Sequence, residues 1–199
     1  HNECIGSLSL GVKIGETYTD YSQGSVRQTG GTYDLALSGS GFFTVSVADK
    51  AGEVHTRYTR DGRFHLTKDG LLVDADGNAV QGQNGNITID PSSKNVSISA
   101  TGQITADGEL VDTLNIVDFE DYDYLKKYGD TMYEPVDGAT TKDAEGEILQ
   151  GYTEQSNVNV VREMVDMITI TRAYEASQKV IHSYDSMLDK SVNQVGALK

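Results

Sequence analysis

The stretch Ser156–Val195, SNVNVVREMVDMITITRAYEASQKVIHSYDSMLDKSVNQV, contains neither glycine nor proline and places an apolar residue at every seventh position: Val160, Met167, Tyr174, Ile181, Leu188 and Val195. A repeat of seven sustained over this length puts these side chains on one slowly drifting face of an α-helix, and burying that face against a partner winds the pair left-handedly. Val161, Met164, Val165 and Ile168 form a second stripe on another side of the first half. Little of that half is left for water, and a helix apolar on two sides sits between neighbours. Ser156, Asn157 and Asn159 offer N-cap oxygens, and Gly196 follows the last heptad residue. Ile168 to Thr171 is a β-branched alternating run, a strand signal inside a helical frame; the longer pattern is expected to prevail. At about 1.5 Å per residue the segment is a rod of roughly 60 Å, longer than a compact domain built from the rest of the chain. It either lies across its own β domain or projects as an assembly helix that other chains must cover.

The remaining composition bounds what such a chain can do. Its 199 residues, 37% hydrophobic, suffice for a real core in one or two domains. Lys and Arg number 16 against 30 Asp and Glu, a formal charge of −14, which repels a phosphate backbone or an anionic membrane and argues against nucleic acid as a partner. Cys4 is the only cysteine, so neither an intrachain disulfide nor a cysteine-based metal cluster can form. No apolar run reaches the length of a membrane span, so no membrane insertion is expected, and His1 to Leu10 lacks the basic start and apolar core of a secretory signal. The chain begins without Met, and an N-terminal piece is expected to be missing from it.

Upstream of the helix the signals are β. In residues 1–34 Leu8, Leu10, Val12 and Ile14 alternate before Gly24, Gly30 and Gly31, which reads as an extended arm. From Asp34 to Ile116, short apolar runs such as Phe42, Phe43, Val45 and Val47 are separated by turns at Asp61-Gly62, Asp69-Gly70, Asp76-Gly77, Asn84-Gly85, Thr101-Gly102 and Asp107-Gly108. Tight hairpin turns demand positive φ, which Gly adopts without strain and Asn or Asp tolerate. Between Asp118 and Gln150 the pattern weakens, and Tyr122, Tyr124, Tyr128 and Tyr133 read as a loop-rich extension whose tyrosines pack over a sheet edge. The fold class expected is therefore mainly β: an antiparallel, meander-like central domain over 35–150, an extended N-terminal arm over 1–34, and a long C-terminal helix of coiled-coil type over 151–199.

The chemical motifs are weaker than their structural readings. Asp74-Ala75-Asp76-Gly77-Asn78 suggests calcium, yet the Gly and the bidentate Glu of an EF-hand loop do not fall in place, and turn chemistry accounts for the residues. Gly39-Ser40-Gly41 is too short to cradle a phosphate and marks a bulge or bend before Phe42. His55 and His65 lie on neighbouring predicted strands and could meet across a hairpin, where a half-exposed pair is far commoner than a metal site. No nucleophile, acid-base pair, cofactor motif or metal-ligand set emerges.

Several runs resemble the bacterial flagellar rod and hook protein family. Asp34-Leu35-Ala36-Leu37, Gly39-Ser40-Gly41-Phe42-Phe43 and Tyr58-Thr59-Arg60-Asp61-Gly62 with Phe64 are similar to its central region, and Gln23-Gly24 and Gln28-Thr29-Gly30 also match. Gln150-Gly151-Tyr152, Glu154, Ser156 to Val161, Glu163-Met164, Met167-Ile168 and Arg172 to Ala176 resemble its C-terminal signature. Within the family the short middle is nearest to the rod subunits, the distal one foremost, rather than to the larger hook protein. The resemblance implies an axial structural protein of the basal body, exported through the flagellum's own type III channel, without enzyme activity or cofactor. Its partners would be further copies of itself, proximal rod and hook proteins, and the surrounding ring proteins. Members carry an N-terminal helix that pairs with the C-terminal one; in this chain it is expected to be absent. The assembly face expected on the C-terminal helix comprises Val160, Val161, Met164, Met167, Ile168, Tyr174, Ile181, Tyr184, Leu188 and Val195. The alternative reading is a secreted β-rich domain that binds a ligand or calcium through its Asp-Gly turns.

Overall fold

Phe42 and Phe43 point to opposite faces of one strand, and the two sides of that strand carry two separate cores. The computed structural model describes residues 17–49, 52–191 and 193. In it the strand Phe42–Ala48 pairs with Val54–Thr59 as a hairpin, and with Ala79–Gly82 and Ile116–Phe119 by longer connections. Successive side chains alternate across a strand, so Phe43 and Val45 enter a large cluster with Leu35, Leu37, Leu72, Val80, Ile87 and Ile104. Phe42 turns the other way, onto Phe119 and Leu125. Every one of Phe42, Phe43, Thr44 and Val45 is buried, which is why this stretch reads as a continuous apolar run.

The main sheet runs in the order Leu125–Tyr128, Met132–Pro135, Val54–Thr59, Phe42–Ala48, Ala79–Gly82, Leu72–Val73, His65–Leu66, all antiparallel. A second sheet is a three-stranded meander, Val96–Ile98, Gln103–Ala106 and Glu109–Thr113. Its second hairpin turns on Asp107 and Gly108, both at positive φ, as a two-residue turn matched to strand twist requires. Two long-range pairs close the body: Leu35–Ser38 with Glu147–Gln150, and Val26–Gln28 with Tyr152–Glu154.

The mainly β class with one long C-terminal helix is as the sequence led one to expect, and four details differ. Residues 118–150 are not a loop-rich extension, because Leu125–Tyr128, Met132–Pro135, Thr141–Asp143 and Glu147–Gln150 are strands of the body. Their polar and charged residues are exposed or half-buried, with Leu125–Tyr128 and Thr141–Asp143 at sheet edges, which hid the alternation. His55 and His65 do not meet: His55 pairs with Val47 and His65 with Val73, on strands separated by three others. Gly62 is not a positive-φ turn residue; a Cβ there would stand 1.8 Å from the Leu35 carbonyl oxygen, so the glycine serves close backbone approach. Of the two placements left open for the helix, burial across the β body is not the one found, since all residues of Val160–Lys190 are exposed. It starts four residues beyond Ser156, because Tyr152–Glu154 is claimed by the strand pair with the arm. The Leu8 to Ile14 alternation, Cys4, Val195 and Gly196 lie outside the described residues.

Candidate assembly interface

The helix begins where its sequence allows. Asn159 is extended at φ −85° and accepts a hydrogen bond from the Arg162 backbone N–H at 3.2 Å, relieving one of the orphan donors of the first turn. Ser156 caps locally, accepting from the Val158 N–H, and Asn157 reaches away instead, donating to the Asp20 and Ser22 carbonyls at 3.1 Å each. Within the helix the strand-like run is absorbed: the Thr169 hydroxyl donates to the Val165 carbonyl and that of Thr171 to Met167. This back-bonding gives a β-branched threonine a partner in a helical frame.

The predicted face lies open along its described length. Val160, Val161, Met164, Met167, Ile168, Tyr174, Ile181, Tyr184 and Leu188 are all more than half exposed. Val165, Ile170, Val180 and Met187 are equally exposed and extend the apolar surface beyond the expected set. Isolated exposed apolar residues are ordinary, and a run of them along one helix makes this face the candidate interaction surface. No helix among the described residues is long and apolar enough to cross a membrane.

At the foot of the helix lies a clasp that the sequence reading passed over. Arg60 donates from Nε to Glu154 Oε2 at 2.9 Å and from its two terminal nitrogens to the Gly39 and Gly41 carbonyls, and its guanidinium lies 6.0 Å from the centre of the Phe42 ring. Glu154 takes the Gly24 N–H on its other oxygen at 2.8 Å. Body, arm and helix foot thus meet in one mostly buried ion pair. The Gly39-Ser40-Gly41 bend supplies carbonyls to an arginine, and no phosphate-binding geometry forms there. A signal existed, since Arg60 and Glu154 both stand inside the runs that carry the family resemblance. Beside the clasp, the Tyr21 ring packs at a tilt against Tyr122 and Tyr133, at 5.0 and 5.3 Å between ring centres. Asp118, fully buried, accepts from the Tyr122 hydroxyl and the Phe119 N–H at 2.8 Å and lies 3.1 Å from Lys142 Nζ. Burial by itself would raise the Asp118 pKa, but the Tyr122 and Ser40 hydroxyls, the Phe119 N–H and Lys142 outweigh it and hold the carboxyl below its usual range. Tyr122 is pushed up to about 12, first by burial and then by Asp118.

Asp74 is consumed by its own turn: Oδ1 accepts the Asp76 and Asn78 N–H groups at 2.9 and 2.8 Å, and Oδ2 the Asn78 side chain at 3.0 Å. The calcium reading therefore gains nothing from this loop.

A family model described as "Flagellar hook protein FlgE/F/G D1 domain" matches residues 36–106, and one described as "Flagellar basal body rod FlgEFG protein C-terminal" matches residues 149–195. Flagellar basal-body rod protein FlgG of Buchnera aphidicola subsp. Schizaphis graminum is 36% identical over 196 residues, covering 92% of this chain and 73% of that protein. The chain belongs to the flagellar basal-body rod protein family. FlgG of Bacillus subtilis is 32% identical, over 94% of this chain and 74% of its own length, and FlgF of Caulobacter vibrioides 34%, over 90% and 72%. Membership gives the chain the role of a structural subunit of the rod, in the flagellar basal body, assembled with other axial components. The family is structural and is not an enzyme class. The rod protein's C-terminal match begins at the strand that pairs with Leu35–Ser38 and runs through the clasp into the helix.

Proposed function

We propose that the rod subunit polymerises through the exposed face of its C-terminal helix, into a helical tube that transmits torque from motor to hook. Three parts divide the labour: an arm over 1–34, a β body over 35–150, and an assembly segment over 151–199. The helices form the inner layer of the tube and the β bodies the outer one. The seam consists of Val160, Val161, Met164, Met167, Ile168, Tyr174, Ile181, Tyr184 and Leu188, continued by Val195. The observation that carries this reading is that no described residue of Val160–Lys190 is buried. Fully burying six heptad side chains contributes on the order of 9 to 18 kcal/mol before ordering entropy is set against it, enough for assembly to order the helix. A head-to-tail contact that does not close builds a filament from one chain.

The polymer meets proximal rod subunits at one end and hook subunits at the other, with ring proteins around it, and the subunit occupies the distal rod. It reaches that place through the flagellum's own export channel, and a helix unsupported before assembly suits passage through a narrow bore. Its work there is mechanical rather than catalytic.

Ile181→Asp and Leu188→Asp test the seam. Each is expected to abolish rod assembly in cells while the purified chain keeps its β-sheet circular dichroism and melting transition. Normal rods and motility with both substitutions would remove the helix face from the interface.

A further inference from the structure

The chain passes from the β body to the helix through residues 155–159, and each residue of such a link turns about two soft dihedrals. No residue of the helix is buried against the body to hold its direction. The arm runs beside this link and uses alternate residues for two different grips. Tyr21 and Gln23 hold the body. The Tyr21 ring packs against Phe42, Tyr122 and Tyr133, while the Gln23 side chain donates to the Leu37 carbonyl at 2.9 Å and accepts the Gly39 N–H at 3.2 Å. Asp20, Ser22 and Gly24 hold the foot of the helix. The Gly24 N–H goes to Glu154, and the Asp20 and Ser22 carbonyls both accept from Asn157 Nδ2, which also lies 3.0 Å from the Ser22 hydroxyl. The Asp20 carboxylate takes the Ser22 N–H at 2.9 Å, a local turn within which both carbonyls converge on that one nitrogen.

We propose that residues 20–25 act as a splint that sets the direction of the helix relative to the β body, with Asn157 the positioning residue that couples helix to splint. An extended segment presents successive residues to opposite sides, so Asp20-Tyr21-Ser22-Gln23-Gly24 can grip the body and the foot at once. The Gln155 N–H donates to the Ser25 carbonyl at 2.9 Å, and beyond it Val26–Gln28 pairs with Tyr152–Glu154. Two cross-bonded segments therefore run side by side to within a few residues of Val160, where a single one would swivel. Asn157 is exposed, so its bonds add little net stability. Their effect is geometric: acceptors on two arm residues surround one nitrogen, which fixes the foot in place and in orientation, whereas a single bond would leave a pivot. The amide is required because it must donate; a carboxylate there would face two carbonyl oxygens with acceptors of its own. On the seam reading above, torque between the helical layer and the β bodies passes through this splint. The direction itself belongs to the unassembled chain and does not depend on that reading.

The test is the distribution of distances between spin labels, measured by double electron–electron resonance on the purified chain carrying Cys4→Ser. One label sits on the body at Thr56→Cys and the other on the helix at Asp166→Cys or Lys179→Cys, all three being exposed positions. The parent is expected to give narrow distributions from both pairs. Asn157→Asp and Asn157→Ala should widen them while helicity and the melting of the β body stay unchanged. Positions 166 and 179 stand about 10 and 30 Å along the helix from Asn159. A swing about the foot therefore widens the second distribution about threefold more than the first. Ser156→Ala, which removes the local bond to the Val158 N–H and touches no arm residue, should leave both widths as they are. If Asn157→Asp loses helicity, Asn157→Ala carries the comparison. Broad distributions in the parent, unchanged widths in the Asn157 variants, or equal widening by Ser156→Ala would each overturn the splint. No contact between copies enters the measurement, so failure of the seam is read separately, as normal rods from Ile181→Asp.

Discussion

Single residues decide how the arm, the body and the helix foot hold together. A Cβ on Gly24 would stand 1.7 Å from the Gln155 carbonyl oxygen, so Gly24→Ala must push the arm off the helix foot and break the N–H donation to Glu154. The loss is about 2 kcal/mol of local stability, expected as several-fold faster proteolytic clipping of the arm with little change in the melting of the body. Arg60→Gln removes one half of a mostly buried pair and strands Glu154, at a cost of roughly 3 kcal/mol. Asp118 links stability to pH. Its carboxyl is held below the ordinary value when folded, so its contribution is complete above about pH 4 and is lost as pH falls through the folded value. Tyr122 works in the opposite direction: raised to about 12, it contributes fully below its ordinary value near 10 and loses that contribution as pH rises through about 12. Asp118→Asn should lower stability at neutral pH by about 1.5–3 kcal/mol and flatten the fall of melting temperature below pH 4. A variant whose acid profile matches the wild type would assign acid lability to other carboxylates.

At the scale of elements, the helix is set by its own sequence and by nothing it packs against within the described chain. Its cap therefore matters more than a cap on a buried helix would. Asn159→Ala should cost about 1 kcal/mol and appear as fraying of the first turns, measured as faster amide exchange over Val160 to Met164, with the β body unaffected. The helix was legible because a heptad repeat is long and redundant; Ile168 to Thr171 could not override it once Thr169 and Thr171 found backbone acceptors within the helix. The hairpins of the body were legible where Asp-Gly pairs stand at positive φ, as at Asp107-Gly108. Gly62 shows the limit of that signal, because the same dipeptide also serves close approach to Leu35. The strands between Asp118 and Gln150 were not legible, since these short strands, some of them at sheet edges, carry lysines, acids and tyrosines that blur the period of two. The pairing of Val26–Gln28 with Tyr152–Glu154 joins segments more than a hundred residues apart, and local pattern carries no information about such a partner. For the same reason Arg60 and Glu154 could be quoted as members of a signature without revealing that they touch.

At the scale of the whole molecule, the β body and the helix are energetically separate until assembly. No described helical residue is buried, so a chain ending at Gln155 keeps the Tyr152–Glu154 strand and the clasp. It should melt within about 2 °C of the longer chain. Such a chain should also fail to enter rods, because it lacks the surface that neighbours would cover. This separation makes the consequence of losing the subunit specific. In cells lacking the gene, axial assembly should stop at the level this subunit occupies, since each later component needs the surface offered by the one beneath it. Electron microscopy of isolated basal bodies should then show truncated rods without hooks, and the stump length should place the subunit along the rod. Complementation with the whole gene should restore both rod and hook, and complementation with the chain ending at Gln155 should restore neither. Normal basal bodies in the deletion strain would mean that another rod protein fills this position. Rods restored by the shortened chain would move the seam from the helix to the β body.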